Sequence, residues 1–481
     1  MHWFRRDLRL SDNTALAEAL KAGKVLAVFV LDPGILVRPD TGAARLEFLY
    51  DALRNLDQEL LGRGSQLLLR RGEPAAVLSA IAREHDAAAC FFNRDYEPYA
   101  VARDARVTAT LQSRGLLVRS FKDDVMAEVG ELPGPRPFLV FTPFHRAWQA
   151  GISPAALAPR SCEGRFVNAS AVSSQAIPSS GAMPAGQRQP VFGGCPAATA
   201  DLERFAAGPL QAYANDRDRL DRPATSRISP FLRFGMVSIR ECLRLARRGP
   251  GAGSEAWERQ LAWRDFYRQL LAAMPRLELG PLDERTAGLP WNDNPAVLLA
   301  WREGQTGYPV VDAGMRQLAA EGWLPNRARL IVASFLVKDL GVHWQAGERV
   351  FMERLLDGDL ASNNGGWQWV AGTGTDAQPF FRIFNPVLQG QRFDPEGAYV
   401  RRWCPELERV PAATVHTPWL IAESDQRRLG CVIGRDYPRP TVDHQQARRV
   451  ALARFNAVRS RAGASGAGPR SRAGSSPSLR G

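Results

Sequence analysis

The residues with the clearest chemical potential lie in one stretch of the second half of the chain. From Asp357 to Asp376 the sequence reads DGDLASNNGGWQWVAGTGTD, which sets carboxylates and the amides of Asn363 and Asn364 beside a glycine pair and two tryptophans. Short hydrogen-bonding groups next to indole rings suit a buried crevice for a flat heteroaromatic ligand. A solvated surface loop is the alternative, but surface loops rarely carry two tryptophans.

A second group of polar residues is the run TSRISP from Thr225 to Pro230. Thr225, Ser226 and Ser229 place three hydroxyls just ahead of a helical stretch. Free N–H groups and the helix dipole at such a position favour an anion, so the hydroxyls could help to hold a phosphate. Capping of the helix alone is the commoner meaning of this pattern, and both interpretations stay open.

A third group lies on one face of a predicted helix. Gln260, Trp263, Arg264 and Tyr267 are spaced at i, i+3, i+4 and i+7, so they form one stripe. An amide, an indole, a guanidinium and a phenol together could stack on bases and contact phosphates. A helix–helix contact is an equally acceptable interpretation. Two further arginines could add phosphate contacts, namely Arg327 and Arg382.

The first part of the chain alternates short apolar runs with helical patterns. The predicted strands end near Phe4 and cover Lys24–Leu31, Ser65–Arg70, Ala88–Phe92 and Leu116–Phe121. The predicted helices between them are Arg45–Leu61, Glu73–His85 and Ala102–Ser113. This alternation predicts parallel strands with right-handed crossovers, which is a doubly wound α/β domain. No GxGxxG follows the first strand, so the usual dinucleotide fingerprint is absent from this domain.

The rest of the chain reads as helical. Residues 131–200 include a stretch rich in Ala, Ser, Pro and Gly and are predicted to connect two domains. Helices are predicted over Ile239–Arg248, Ala256–Met274, Pro309–Glu321, Arg327–Leu340 and Gly347–Asp357. The expected organisation is an α/β domain over 1–130, a linker over 131–200, an all-α domain over 201–457 and a basic, disordered tail over 458–481.

Composition narrows the class of protein. Hydrophobic residues make up 45% and charged residues 23% of the 481 residues, which is ordinary for a globular protein and excludes a disordered or collagen-like chain. No apolar run reaches the roughly 18 residues of a membrane span. The first residues, MHWFRRDLRL, are too charged for a signal peptide, so a cytoplasmic protein is expected.

The ionisable residues favour a polyanionic partner over a metal. The net charge is +12, with five arginines and no acid from Arg459 onward, which is a moderate indication of nucleic-acid binding. The six cysteines form no CxxC pair, and the six histidines form no HxxxH or HExxH pattern. Neither a disulfide framework nor a metal site is therefore expected.

These groups occur within a longer resemblance. The segments WFRRDLRLSDN (Trp3–Asn13), GQTGYPVVDAGMRQL (Gly304–Leu318), ASFLVKDL (Ala333–Leu340), the run from Asp357 to Pro386, and YPRPTVDH (Tyr437–His444) resemble the cryptochrome/photolyase family of flavoproteins. The chain looks most like the class I photolyases that repair cyclobutane pyrimidine dimers in microbial DNA. The resemblance implies an α/β antenna domain, a linker and a helical domain that holds FAD.

The resemblance also implies roles for individual residues around FAD. The residues implied to hold the pyrophosphate and its surroundings are Tyr213, Thr225, Ser226 and Ser229. Those implied near the flavin ring and ribose are Asn326, Arg329, Asp357 and Asp359, with Arg329 and Asp357 ion-paired. Asn363 falls where photolyases carry an asparagine near flavin N5, which favours repair over pure signalling.

Electron transfer and substrate binding are implied in the same way. Trp367, Trp344 and Trp291 fall on the family's electron-transfer triad, which runs from flavin to surface. Indole rings are oxidisable and can relay an electron in short hops. Trp263 and Trp369 resemble the aromatic residues that contact a dimer flipped out of the duplex, a feature of photolyases in general.

Three positions depart from the pattern of dimer photolyases. Gln260 replaces a glutamate that hydrogen-bonds the damaged bases, Leu330 replaces a methionine against the lesion, and Pro325 replaces a histidine. Glutamine can donate and accept hydrogen bonds, but it cannot supply a proton. Tyr99–Ala100 stands where folate-binding members have an asparagine–glutamate pair. A second antenna chromophore, folate or deazaflavin, is therefore left open.

The sequence thus predicts a monomeric, light-dependent lyase that repairs pyrimidine dimers in DNA with reduced FAD. The alternative is a cryptochrome-like blue-light photoreceptor that keeps FAD and the tryptophans but repairs little or nothing; Gln260, Leu330 and Pro325 favour it. A light-independent nucleic-acid-binding flavoprotein is a third, weaker possibility, since it would have no use for the tryptophan triad.

Overall fold

The first domain is built on a five-stranded parallel sheet. The computed structural model describes residues 1–179, 194–249, 251–375 and 382–465, with side chains through 458. The strands are β1 (His2–Phe4), β2 (Ala27–Leu31), β3 (Leu68–Arg71), β4 (Ala89–Asn93) and β5 (Leu117–Phe121), in the spatial order β3-β2-β1-β4-β5. All their pairings are parallel, with Trp3 opposite Val28 and Val28 opposite Leu68. The predicted doubly wound α/β fold is confirmed.

Helices cover the sheet because their apolar faces are buried against it. The helices of this region are α1 (Thr14–Ala22), α2 (Pro33–Leu36), α3 (Ala43–Leu61), α4 (Pro74–Glu84) and α5 (Pro98–Gln112). Asn13 caps α1 by accepting the N–H of Leu16 at 3.1 Å, and Glu73 caps α4 just before its first-turn proline. Strand β2, AVFVL, is buried along its whole length, as a strand covered on both faces must be.

The remaining described residues are mainly helical. The helices up to residue 273 are α6 (Phe141–Gly151), α7 (Pro154–Leu157), α8 (Gly194–Ala207), α9 (Pro209–Asp216), α10 (Ser229–Arg233), α11 (Ile239–Ala246) and α12 (Ala252–Ala273). They are followed by α13 (Pro295–Arg302), α14 (Pro309–Glu321), α15 (Asn326–Ser334), α16 (Trp344–Arg354), α17 (Leu360–Ala371), α18 (Pro386–Phe393), α19 (Ala398–Trp403), α20 (Glu423–Leu429) and α21 (His444–Ser465).

Some helix boundaries differ from the sequence-based expectation. Helix α16 begins at Trp344 rather than Gly347, because His343 caps it by accepting the N–H of Gln345. The predicted helix Arg327–Leu340 ends at Ser334 and continues as a π-helical turn, Phe335–Asp339. Local apolar spacing does not distinguish these cases.

The expected linker and tail also contain helix. Helix α6 lies inside 131–200 because Phe141, Phe144 and Trp148 form a buried apolar stripe at helical spacing. Helix α21 continues to Ser465, so the first residues of the predicted disordered tail are helical; the others lie outside the described residues. The domain boundaries themselves remain a prediction.

Candidate functional site

The ion pair between Arg329 and Asp357 marks one edge of the candidate site. Arg329, on α15, donates from Nη2 to Asp357 Oδ2 at 2.7 Å and from Nε to the carbonyl of Leu324 at 3.0 Å. Asp357 is only 8% exposed, and its Oδ1 is buried without a hydrogen-bond partner among the described residues. A buried carboxylate oxygen without a donor is costly, so this atom is suited to receive an N–H from a ligand.

The asparagines of α17 lie beside a buried glutamate on α16. Asn363 donates to the backbone carbonyl of Glu348 at 3.0 Å, and Asn364 donates to Glu348 Oε1 at 2.9 Å. Gln368 in turn donates to Asn364 Oδ1 at 2.8 Å. Burial raises the pKa of Glu348 to about 7, although the hydrogen bond from Asn364 opposes the shift. Glu348 was missed in the sequence; its only signal was its position four residues after Trp344.

The loop that carries the hydroxyls of Thr225, Ser226 and Ser229 lies beside the turn that leads into α15. Ser229 is the first residue of α10, which has no side-chain cap, and its Oγ accepts the indole N–H of Trp323 at 3.2 Å. Arg227 adopts a left-handed φ of 51° and stacks 4.1 Å above the ring of Trp323. Thr225 and Ser226 are half-buried and form no hydrogen bond within the described part of the chain. Their hydroxyls are thus available to a ligand phosphate, and neither caps α10.

Two predicted cofactor residues, Tyr213 and Asn326, form no contact with this cluster among the described residues. Tyr213 lies on α9 in the core, where its ring meets Phe205 edge-on at 5.6 Å and burial raises its pKa to about 12. Asn326 is exposed at the start of α15. The assigned contact of each with the cofactor remains a prediction.

Asp359 has several partners within the protein, and its predicted contact with the cofactor remains a prediction. Its side chain accepts the backbone N–H of Ser362 and so caps α17. It also pairs with Arg6 of the first domain and with Arg268 of α12 at 2.8 Å. These guanidinium groups hold the pKa of Asp359 well below its ordinary value against the effect of burial. Asp359 therefore fixes the start of α17 relative to the first domain.

The three predicted relay tryptophans differ in burial. Trp367 and Trp344 are 2% and 1% exposed, whereas Trp291 is half-buried. Trp367 packs directly on Gly347, where an added Cβ would lie 2.2 Å from the ring, and Gly347 is one helical turn beyond Trp344 on α16. Helices α16 and α17 thus hold the two buried indoles on packed faces.

Two further rings pack close to these tryptophans and were missed in the sequence. His343 lies 4.9 Å from Trp291 and 5.8 Å from Trp344, measured between ring centroids. Trp301 meets Trp367 edge-on at 6.1 Å and donates its indole N–H to the carbonyl of Val332 at 2.9 Å. Trp301 is distant in sequence from Trp367. His343 is next to Trp344 in sequence but belongs to no distinctive motif. Periodicity therefore could not reveal either ring.

The predicted substrate residues are only partly assembled. Trp263 stacks on Phe141 with centroids 3.7 Å apart and planes 1° apart, so one face of its ring is covered. Among the described residues, the side chain of Gln260 hydrogen-bonds only the carbonyl of Ala256 in its own helix, at 3.4 Å. Leu330 and Trp369 are half-buried. A small cavity lies between α12 and α17, lined by residues that include Tyr267, Gly365 and Gln368.

The three predicted phosphate contacts have different environments. Arg264 pairs with Asp124 of the first domain and is largely buried, so its charge is already balanced within the protein, and its assignment as a phosphate contact remains a prediction. Arg327 pairs with Asp218 at 2.6 Å and stacks over Phe393 at 4.3 Å. Arg382 is exposed and forms no ion pair with any described residue.

Comparison with known proteins places these features in a family. A family model for DNA photolyase matches residues 1–161, and one for the FAD binding domain of DNA photolyase matches residues 257–457. The deoxyribodipyrimidine photo-lyase of Salmonella typhimurium is 40% identical over 95% of this chain and 98% of its own length. This chain belongs to the DNA photolyase family.

Solved structures agree with this assignment. A bacterial class III photolyase from Agrobacterium tumefaciens superposes with a TM-score of 0.85 at 35% identity, over 95% of this chain and 97% of its own. An archaeal photolyase from Sulfolobus tokodaii, solved with two FAD molecules, gives 0.83 at 30% identity, over 95% and 99%. These structures confirm the expected fold, and the match to the FAD binding domain of DNA photolyase confirms the expected FAD.

The residues present fit FAD. The unpaired Asp357 Oδ1 offers an acceptor to a ring N–H, and the hydroxyls of Thr225 and Ser226 offer donors to a phosphate. Asn363, which lies on α17 shortly after Asp357 in the sequence, is also buried. These polar groups are hard to explain as packing alone, because buried polar atoms normally have partners.

A second chromophore remains a prediction. At the position where folate-binding members carry an asparagine, Tyr99 donates its hydroxyl to Asp32 at 2.9 Å and packs on Gly34.

None of the described helices is long and apolar enough to cross a membrane. Within the same residues, no group of three or more His, Cys, Asp or Glu side chains is arranged to hold a metal ion.

Proposed function

We propose how the residues above divide the work of this photolyase, a lyase that uses light to repair cyclobutane pyrimidine dimers in DNA. When bound, reduced FAD would supply light-driven electron donation to the dimer with no net redox change. The observation that carries the proposal is the buried, unpaired oxygen of Asp357 beside Arg329, on the helix–turn that leads to the tryptophans.

The cofactor is bound by groups that the protein leaves unsatisfied. Asp357 Oδ1 would accept an N–H of the bound cofactor while Arg329 balances the charge of the carboxylate. Thr225, Ser226 and Ser229 donate toward the pyrophosphate, and Asn363 is held near the flavin by its hydrogen bond to the Glu348 carbonyl. Tyr213, Asn326 and Asp359 complete the assigned cofactor contacts, and the ion pairs of Asp359 also position α17.

The flipped dimer is bound between Trp263, Trp369 and Leu330. The covered face of Trp263 packs on Phe141, so its opposite side and edge are the parts that can meet a base. Gln260 can donate to or accept from the damaged bases, but it has no proton to give to the opening ring. Arg382 and Arg327 contact flanking phosphates, with Arg382 the more accessible of the two.

Trp291, Trp344 and Trp367 deliver electrons that keep the cofactor in its reduced, active form. The two buried rings are shielded from water and the outer ring can be reached by an external donor. A chain of oxidisable rings would serve no purpose in a flavoprotein that acts without light. The relatives are named photo-lyases, and the photoreceptor alternative is not favoured.

We further propose that the chain acts as a monomer in the cytoplasm. The most exposed large apolar side chains, such as Val37, Leu279 and Leu420, are single residues far apart in the sequence. Scattered apolar residues of this kind do not by themselves require a partner.

The deciding experiment is illumination of the purified, reduced protein with an oligonucleotide that contains one pyrimidine dimer. We expect light-dependent loss of the dimer with wild-type protein and a higher yield per photon with Gln260→Glu, at similar dimer affinity. The gain should be on the order of one hydrogen bond to a charged group, ~1.5–3 kcal/mol at most in the affected step. If neither protein opens the dimer when the flavin is fully reduced, the photoreceptor alternative replaces this proposal.

A further inference from the structure

The ring of His343 lies between the two outer tryptophans of the relay. Its centroid is 4.9 Å from that of Trp291, at an interplanar angle of 59°, and 5.8 Å from that of Trp344, at 25°. Trp344 is buried and Trp291 is half-buried. His343 therefore connects the interior end of this pair of indoles to its surface end.

Several features keep His343 neutral. Its Nδ1 accepts the backbone N–H of Gln345 at 3.1 Å and caps α16, so this nitrogen carries no proton in the observed arrangement. Burial first and then the charge of Arg349 lower the pKa of the imidazole below its ordinary value of 6.5. The positive end of the α16 dipole acts in the same direction.

One fixed cation is already close to the outer indole. The guanidinium carbon of Arg454, on α21, lies 5.4 Å from the ring centroid of Trp291. Arg454 is held there by the carbonyls of Val337 and Gly341, each at 3.2 Å. The other charged or titratable side chains of this neighbourhood in the described chain include Arg349, the exposed Asp293 and the buried pair Asp339–His444. They also include Lys338, whose pKa is lowered to about 7 by burial and then by the charge of Arg454. A positive charge on His343 would add a second cation beside Trp291.

We propose that His343 is a positioning residue of the relay: it holds Trp291 against Trp344, and only its neutral form lets an electron vacancy pass outward between them. The inference rests on the proposed function of the tryptophans. In this step oxidised Trp344 regains one electron and Trp291 loses one, with no bond made or broken. A protonated His343 lies nearer Trp291 than Trp344, so it disfavours the vacancy at Trp291 more strongly and keeps it inside.

The test is flash photolysis of the FAD-loaded protein, with oxidised tryptophan followed by transient absorption from about pH 8 to about pH 5, across the histidine range. In wild type we expect the yield of oxidised Trp291 to fall about tenfold or more at the acid end, because the positive charge of protonated His343 acts on the oxidised indole at short range. His343→Phe keeps a ring in place and should give a high yield at every pH. His343→Gln removes both ring and charge, so its yield should be low and independent of pH.

A second measurement needs no light. The imidazole titration of His343, followed by NMR and assigned by its absence in His343→Gln, should have a midpoint below the ordinary histidine value. Flavin content reports whether each variant is folded.

A flat wild-type profile, or an unchanged acid decline in His343→Phe, would overturn the inference. Trp291→Phe separates the two levels of the argument. If it leaves the outer radical signal intact, the proposed relay itself fails. If it removes the signal while His343 and pH have no effect, only the role of His343 fails.

Discussion

Two buried polar regions of this photolyase contrast in how completely the protein satisfies them. At the junction of the domains, Asp123 is 3% exposed and accepts from Arg9 at 2.5 Å, from Arg240 at 2.7 Å, and from both the backbone N–H and the hydroxyl of Thr14. These partners hold its pKa far below the ordinary value although burial opposes them. Asp12 joins the same network through Arg240 at 2.9 Å.

The region around α15–α17 is the opposite case. Asp357 has one ion pair and one buried oxygen without a partner in the described chain, and Glu348 forms no ion pair with any described residue, although the charge of Arg349 acts on it. The pKa of Glu348 rises to about 7 because burial outweighs the hydrogen bond from Asn364. The comparison suggests that the saturated region serves the fold, whereas the unsaturated region awaits a ligand.

The strongest test of the contrast is Asp123→Asn. The change leaves Arg9 and Arg240 buried without a full counter-charge, so we expect a loss of about 3–5 kcal/mol in the free energy of unfolding. Urea denaturation followed by circular dichroism measures it. The control is Asp201→Asn, which breaks an exposed pair with Arg204 and should cost less than about 1 kcal/mol. Equal effects of the two changes would contradict the assigned role of the junction.

The next effect concerns pH and Glu348. Its folded-state pKa of about 7 lies above the ordinary 4.5, so the folded protein keeps a proton that the unfolded chain releases. Stability contributed by this group is complete below about pH 4.5 and is lost as the pH rises toward 7. Glu348→Gln should remove this loss. As the pH rises across this range, the free energy of unfolding of the flavin-free variant should fall by about 3 kcal/mol less than that of wild type.

The check for Glu348 is the urea midpoint of flavin-free wild type and variant at the two ends of that pH range. The expected difference appears only at the upper end. Parallel curves for the two proteins would show that Glu348 is ionised in the fold, and the contrast with Asp123 would then lose one of its two supports.

A smaller effect is expected for cofactor binding through Asp357. Asp357→Asn keeps the shape but removes the charge that balances Arg329, so FAD affinity should fall by roughly 1.5–3 kcal/mol, the value of a charged hydrogen bond. Equilibrium titration of apoprotein with FAD measures it. Asp425→Asn, at an exposed pair with Arg428, serves as the control and should bind FAD as wild type does. Unchanged affinity in Asp357→Asn would remove Asp357 from the site.

Local pattern predicted the elements of the fold better than the contacts of the site. Helix α14 begins and ends at the expected residues, Pro309 and Glu321, because a proline start and a clear apolar stripe define it. The partners of Arg264 and Asp359 could not be read in the same way. Both pair with the first domain, more than a hundred residues away in sequence, and nothing in helical spacing encodes such a contact.

The last prediction turns this difference into a measurement on DNA binding. Arg382 is exposed and without an ion pair in the described chain, whereas Arg264 is committed to Asp124. Each arginine that neutralises one phosphate contributes about 0.9 to the slope of log affinity against log salt concentration. Arg382→Gln should therefore reduce the magnitude of this slope by the contribution of about one phosphate contact, with a modest loss of affinity at low salt. Arg264→Gln should lower thermal stability and leave the slope unchanged, because its charge never reaches the DNA. Fluorescence anisotropy with an undamaged duplex, at several salt concentrations, separates the two effects from dimer recognition. A reduced slope in Arg264→Gln would restore the original assignment of that residue, and an unchanged slope in Arg382→Gln would place the phosphate contacts elsewhere on the helical domain.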